Sequence, residues 1–167
     1  WWRVSRVIVD LDPCIEPDKD ITIAVDSTGI KVSNRGEWIR QKWKVRRGFI
    51  KVHIAVDTRT KQIVAMEITK EDVSDGKMLE PLVETSVSRA DVKKVIGDGA
   101  YDSKKNFRLL ADKGIDPVIR VRKNSSFKAR GCMPRKLAVV EQIGNPEWEK
   151  EKGYGLRWMA ESAVSSV

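Results

Sequence analysis

The sequence predicts an α/β fold built on one mixed five-stranded sheet with flanking helices. Three observations predict it. A compact β-rich apolar run, Ile21-Thr22-Ile23-Ala24-Val25, comes first. Two strand patterns follow as a hairpin, joined by Asp57-Thr58-Arg59-Thr60-Lys61. Helical and strand patterns then alternate towards the end of the chain.

Residues 1–20 mix apolar and basic side chains, then place prolines among acids in Asp10-Leu11-Asp12-Pro13 and Glu16-Pro17-Asp18. This reads as a linker and the remnant of a preceding region. The run 21–25 reads as a buried strand ending in a turn at Asp26-Ser27-Thr28-Gly29. Lys31, Arg35, Arg40, Lys42, Lys44, Arg46, Arg47 and, on the strand edge, Lys51 surround Trp38 and Trp43. We read that stretch as an exposed basic loop. From Phe49 to Val56 the pattern has period two, with Ile50, Val52, Ile54 and Val56 predicted to face the core. Gln62 to Thr69 is the returning strand of an antiparallel hairpin.

Asp72 or Ser74 can cap a helix running to about Val87, with Met78, Leu79, Leu82 and Val83 at helical spacing. Val92 to Ile96 is a short strand, ended by Gly97-Asp98-Gly99. Asp102 or Ser103 caps a second helix that stops at Gly114. Asp116 to Val121 is a fifth strand. Residues 122–136 look like a basic loop, with Arg122, Lys123, Lys128, Arg130, Arg135 and Lys136. Residues 144–153 are polar, and a final helix starts near Tyr154. This order matches a ribonuclease H-like fold. The chain lacks an initial Met and stops within that helix, so it reads as a fragment truncated at both ends.

The 167 residues fit one domain, with 41% hydrophobic and 34% charged residues. A chain of this size buries roughly 70% of its unfolded surface. No run approaches the roughly 20 apolar residues of a membrane helix, and there is no signal peptide, so the cytoplasm is expected and a membrane partner is not. Cys14 and Cys132 form no C-x-x-C pattern and read as free thiols in a reducing compartment. Lys and Arg total 32 against 24 acids, for a net charge of +8. A basic balance favours a polyanionic partner, through counterion release from phosphates.

Three carboxylates stand in particular places. Asp26 ends what reads as a central strand. Asp98 ends the fourth strand between two glycines, which give a metal and a phosphate room to approach the backbone. Each, taken alone, reads first as an ordinary turn residue. Glu161, taken alone, is equally a solvated helix residue. Yet Tyr154, Arg157 and Glu161 fall at i, i+3 and i+7 and share one helical face, a poor core stripe but a reasonable site wall. Phosphodiester chemistry needs charge on the attacking and leaving oxygens, which two Mg²⁺ ions supply. Mg²⁺ takes hard oxygen ligands. Converging carboxylates without a metal would repel one another. The sole histidine, His53, reads as structural, and with no paired cysteines zinc sites and Ser-His-Asp triads lack parts.

Ile23-Ala24-Val25-Asp26-Ser27-Thr28-Gly29, Lys51-Val52-His53-Ile54-Ala55-Val56-Asp57 and Gly97-Asp98-Gly99-Ala100-Tyr101-Asp102 together resemble the DDE transposases of bacterial and archaeal insertion sequences. That family carries the signature Y-x2-R-x3-E-x6-K. Tyr154, Arg157 and Glu161 keep its first three positions, and the lysine would fall one residue beyond Val167. The resemblance covers about residues 21–167 and implies a ribonuclease H-like catalytic domain there, with a basic insertion at about 122–152.

It also implies two Mg²⁺ or Mn²⁺ ions held by Asp26, Asp98 and Glu161 as catalytic residues. Nicking at transposon ends, then attack of the freed 3′-hydroxyl on target DNA, is the implied activity. Tyr154 and Arg157 look like the family's DNA-contacting residues. The basic loops, with Arg46, Arg47, Lys51, Arg122 and Lys123, would track phosphates of double-stranded DNA, with Trp38 either stacking on a base or packed on the domain. The resemblance further implies a homodimer for the full-length protein. Two alternatives stay open: an inactive DNA-binding remnant of a decayed element, and a ribonuclease H-like nuclease without strand transfer.

Overall fold

Strand β1 is Asp20–Lys31, longer than the sequence pattern predicts. Asp26-Ser27-Thr28-Gly29 reads as a turn by residue type, but every residue from Ile23 to Lys31 is paired with β2, Phe49–Asp57. Cross-strand pairing overrides local preference here. The computed structural model describes residues 20–31, 49–126 and 131–165. The expectations for Cys14, Trp38, Trp43, Arg46, Arg47 and the stretch before Asp20 therefore lie outside the described residues.

The remaining strands are β3 (Ile63–Lys70), β4 (Asp91–Gly97) and β5 (Asp116–Ile119). The sheet order is β3-β2-β1-β4-β5. The pairs β3–β2 and β2–β1 are antiparallel, and β1–β4 and β4–β5 are parallel. Three antiparallel strands followed by two parallel ones make the mixed sheet of a ribonuclease H-like fold, as expected.

Helix α1 (Asp75–Arg89) starts after Ser74, and α2 (Lys104–Asp112) after Ser103, whose side chain accepts from the Asn106 N–H at 3.1 Å. Gly114 ends α2 with φ +68°, a conformation that favours glycine. Two helices were illegible as such. Residues 122–136 read as loop, yet α3 is Met133–Gly144, with Pro134 in its first turn, where a proline's missing N–H costs nothing. The polar region 144–153 contains the short α4, Trp148–Lys152. The final helix begins as a 3₁₀ turn at Tyr154–Arg157 and continues as α5, Trp158–Ser165.

Both faces of the sheet are covered. On one, Ile21, Ile23, Val25, Ala55 and Val95 pack with Leu79, Leu82, Phe107 and Leu110 from α1 and α2. On the other, Ala24, Val52, Ile54, Val56 and Ile96 pack with Trp148, Tyr154 and Ala160. The single core-facing side expected for β2 is thus corrected: His53 and Ala55 on its other side are buried too. Helices on both faces make the central strands continuously apolar.

Asn106 pins the start of α1 to the start of α2. It is buried, and its Nδ2 donates to the carbonyls of Gly76 and Tyr101, each at 2.9 Å. Asn106→Ala strands both carbonyls and is expected to cost about 2–3 kcal/mol. Urea unfolding checks this; a loss below about 0.5 kcal/mol removes Asn106 from the frame.

Candidate active site

Ala24 on β1 is opposite Ile96 on β4 in the parallel register. Asp26 lies two residues beyond Ala24 and Asp98 two beyond Ile96. Alternation then places both carboxylates at the same level, on the sheet face shared with Ala24 and Ile96. Asp26 is half-buried within β1, and Asp98 is half-buried just after β4. Asp26 Oδ1 accepts the Ser27 N–H at 2.8 Å. Asp98 Oδ1 accepts the Ala100 N–H at 2.8 Å, which closes the turn around it.

Glu161 comes to this face on α5, whose Ala160 is buried in the same cluster. Its carboxylate is exposed and binds the Arg157 guanidinium. Arg157 also stands 3.7 Å from Asp26 Oδ2, so one guanidinium lies against both acids. Among the described residues, no three Asp, Glu, His or Cys side chains stand close enough to hold one ion together. The acids nonetheless sense one another. Burial raises the pKa of Asp26; the Ser27 N–H and Arg157 lower it, and Asp98 and Glu161 push it up again, for a net rise.

Tyr154 is buried, and its ring lies 5.4 Å from that of Trp148. The Arg120 guanidinium sits 5.4 Å above the same Tyr154 ring. Burial raises the phenol's pKa. Arg122 and Lys123 are exposed on the segment leaving β5. Arg122 Nε donates to the Gly99 carbonyl at 3.2 Å, beside Asp98. Lys51 is removed from this group: its Nζ is 2.7 Å from Asp75 Oδ1 and donates to the Val73 carbonyl. Gly97 has a packing role rather than a ligand-facing one, since a Cβ there would come within 3.1 Å of both the Tyr101 ring and Val25.

Sequence reasoning missed two supports. One is a clamp around Asp102, whose side chain is fully buried and binds Arg135 through Nε at 2.6 Å and Nη2 at 2.8 Å. Asp102 also accepts the Arg122 N–H at 3.0 Å. Burial alone would raise the Asp102 pKa, but Arg135 and the Arg122 N–H outweigh it and hold the carboxyl below its usual range. The signal was Asp102 itself, which reads as a helix cap; Ser103 takes that role.

The other is a network behind Asp26. Ser27 Oγ donates to Asp75 Oδ1 at 2.6 Å, and His53 Nε2 meets Thr69 Oγ1 at 2.9 Å. His53 Nδ1 lies 3.5 Å from Asp75 Oδ1 but has no hydrogen-bond partner. Burial lowers the His53 pKa more than Asp75 raises it, so the contact is one with a neutral ring, not an ion pair.

Residues 17–166 match the family model described as Transposase DDE domain. The chain belongs to the transposase DDE domain family. Enzymes of this family are of the polynucleotidyl transferase type, act on DNA and work with divalent metal ions. Among solved structures, the chain is similar to the catalytic core domain of BIV integrase, with 14% identity, a TM-score of 0.43 and coverage of 89% of this chain and 83% of that one. It is also similar to the simian T-cell lymphotropic virus intasome in complex with PP2A regulatory subunit B56 gamma. There the identity is 14% and the TM-score 0.45, over 83% of this chain and 47% of that one, so it spans about half of that relative. Among the described residues of this transposase domain, no helix is long and apolar enough to cross a membrane.

The His53 network gives the domain a pH dependence. The unfolded ring titrates near 6.5, and the folded ring, facing Asp75 and Lys51, only below that. Its contribution is therefore full above 6.5 and lost as pH falls below it. Urea midpoints measured at about pH 7.5 and about pH 5 should fall more for the wild type than for His53→Gln. Equal falls would show that the ring does not titrate in this range.

Proposed function

We propose that this chain performs metal-dependent cleavage and strand transfer of DNA in the transposition of an insertion sequence. One observation carries the reading: Asp26 and Asp98 leave neighbouring parallel strands at one level, under the helix that bears Glu161. The donor set suits Mg²⁺ or Mn²⁺, which prefer hard oxygen ligands. The electrostatics suit them too. Asp26 is destabilised as an anion by burial, Asp98 and Glu161, and a cation at the site relieves this. Arg157 now supplies that positive charge in part. Asp26, Asp98 and Glu161 would hold two ions, with Glu161 turning away from Arg157 to complete the set. Bound there, the ions stabilise charge on the attacking and leaving phosphodiester oxygens.

The protein's own groups then bind and orient the DNA. Arg157, released from Glu161, is placed to take a phosphate beside the site. Arg122 and Lys123 extend a basic track from the Asp98 turn, and Arg46 and Arg47 are assigned the same phosphate-contacting role, whereas Lys51, bound by Asp75, is not. Tyr154 acts chiefly as a platform, because its buried ring carries Arg120 towards solvent. The partners are the double-stranded ends of the element and target DNA, met in the cytoplasm by a homodimer.

Asp98→Asn should lower Mg²⁺-dependent nicking of end-containing DNA by at least about a thousandfold while DNA binding persists. Undiminished nicking removes Asp98 from the chemistry. An unmutated chain that binds DNA but never nicks is instead a DNA-binding remnant.

Binding itself should weaken steeply with salt. Arg122→Ala and Lys123→Ala should each lower affinity for all sequences alike and reduce the salt slope by about one. Fluorescence anisotropy over a salt series measures this, and an unchanged slope clears both residues of phosphate contact.

A further inference from the structure

Helix α3 has two unlike sides. The inner side is fastened to the body. Ala138 and Val139 are buried, and Arg135 holds Asp102. Gln142 donates to the Ile119 carbonyl at 2.8 Å and accepts the Val121 N–H at 2.9 Å. The outer side carries Met133, Leu137 and Val140, which are 64%, 61% and 45% exposed. Single exposed apolar residues are ordinary. These three, with Gly144, are spaced four, three and four apart, and they lie opposite the fastened side.

That spacing matches a coiled-coil seam over less than two heptads, and Ile143, 53% exposed, falls at a flanking g position. Met133 and Val140 fall at d positions, Leu137 and Gly144 at a positions. Lys136 and Glu141 then flank the seam at g and e. Lys136 is exposed, and the Glu141 side chain is 45% exposed with Lys152 at 3.3 Å. In a parallel pair of such helices, g of one meets e of the other five residues on. Lys136 would face Glu141 of the second copy, twice over. In an antiparallel pair with the seam in register, g meets g and e meets e, so Lys136 would face Ile143 and Glu141 would face Pro134, and neither charge would find a partner. Gly144 would leave room where the seam ends, since a Cβ there has nothing within 4 Å.

We propose that α3 is a self-association surface, on which a second copy of this chain docks its own α3 in parallel about a twofold axis. This deepens the homodimer reading above by naming its surface and orientation. Twelve helical residues span about 18 Å. One such seam falls short of the ~1,200 Å² of a stable interface. The dimer is accordingly weak, and two copies held on one DNA strengthen it by proximity.

Sedimentation of the 167-residue chain from about 1 to about 100 µM tests this. The wild type should dimerise within that range, and Leu137→Glu should be monomeric. Lys136→Glu should weaken dimerisation about tenfold, and Lys136→Glu combined with Glu141→Lys should restore it. Thermal melts should show all variants folded, because the altered side chains are exposed. A wild type that stays monomeric overturns both the surface and the homodimer reading. A dimer untouched by Leu137→Glu overturns the surface alone. Failure of the double variant to recover overturns the parallel orientation.

Discussion

Strand β1 pairs with unlike partners on its two edges, and the site depends on the mismatch. Along β2 the antiparallel ladder runs to Lys31. Along β4 the parallel ladder stops at Ala24. Beyond that point β1 is held on one edge only, while β4 ends at Gly97 and passes into the Asp98 turn. A rigid strand carries one carboxylate and a tight turn the other. The pairing keeps Asp26 fixed without β4, since each residue past Ala24 retains its β2 partner. Loss of that register would move Asp26 to the opposite face and end its company with Asp98.

The second constraint is charge. Burial is the chief reason that the Asp26 pKa rises, and the neighbouring Asp98 and Glu161 add to it. Arg157 reduces it by touching Asp26 and Glu161 at once. An arginine in that position bridges Asp26 and Glu161, but also keeps Glu161 occupied. The same guanidinium thus holds Asp26 and Glu161 together and would have to release Glu161 before that carboxylate could serve the proposed metal site. The pairing is largely exposed on the Glu161 side, where an ion pair contributes little and is easily exchanged.

The sequence revealed the sheet better than the supports around the candidate site. Strands β2 to β5 follow from period-two or continuous apolar patterns, and Asp98 is visible because its strand ends in glycines. The length of β1 was hidden, because Asp-Ser-Thr-Gly has the composition of a turn and only the β2 ladder shows otherwise. Helix α3 was hidden by Pro134 and by the neighbouring Arg135 and Lys136, which gave it the look of a basic loop. Arg135 proved to be the partner of the buried Asp102 instead of a phosphate contact. The roles of Ser27 and Asp75 were hidden for a different reason: they lie 48 positions apart, and no local pattern joins them. Tyr154 was recognisable by spacing, but not its burial under Arg120, which depends on α4 packing beside it.

The clamp on Asp102 has a mechanical consequence. Its carboxylate grips the Arg122 N–H and the Arg135 side chain, while a few residues upstream the Asp98 turn is closed by its own hydrogen bonds. Arg122 reaches back to Gly99 as well. Arg122 is therefore joined to the Asp98 turn by a short chain of hydrogen bonds through Gly99 and Asp102. If Arg122 holds a DNA strand as proposed, tension on the outer loop and the placement of the Asp98 carboxylate become one variable.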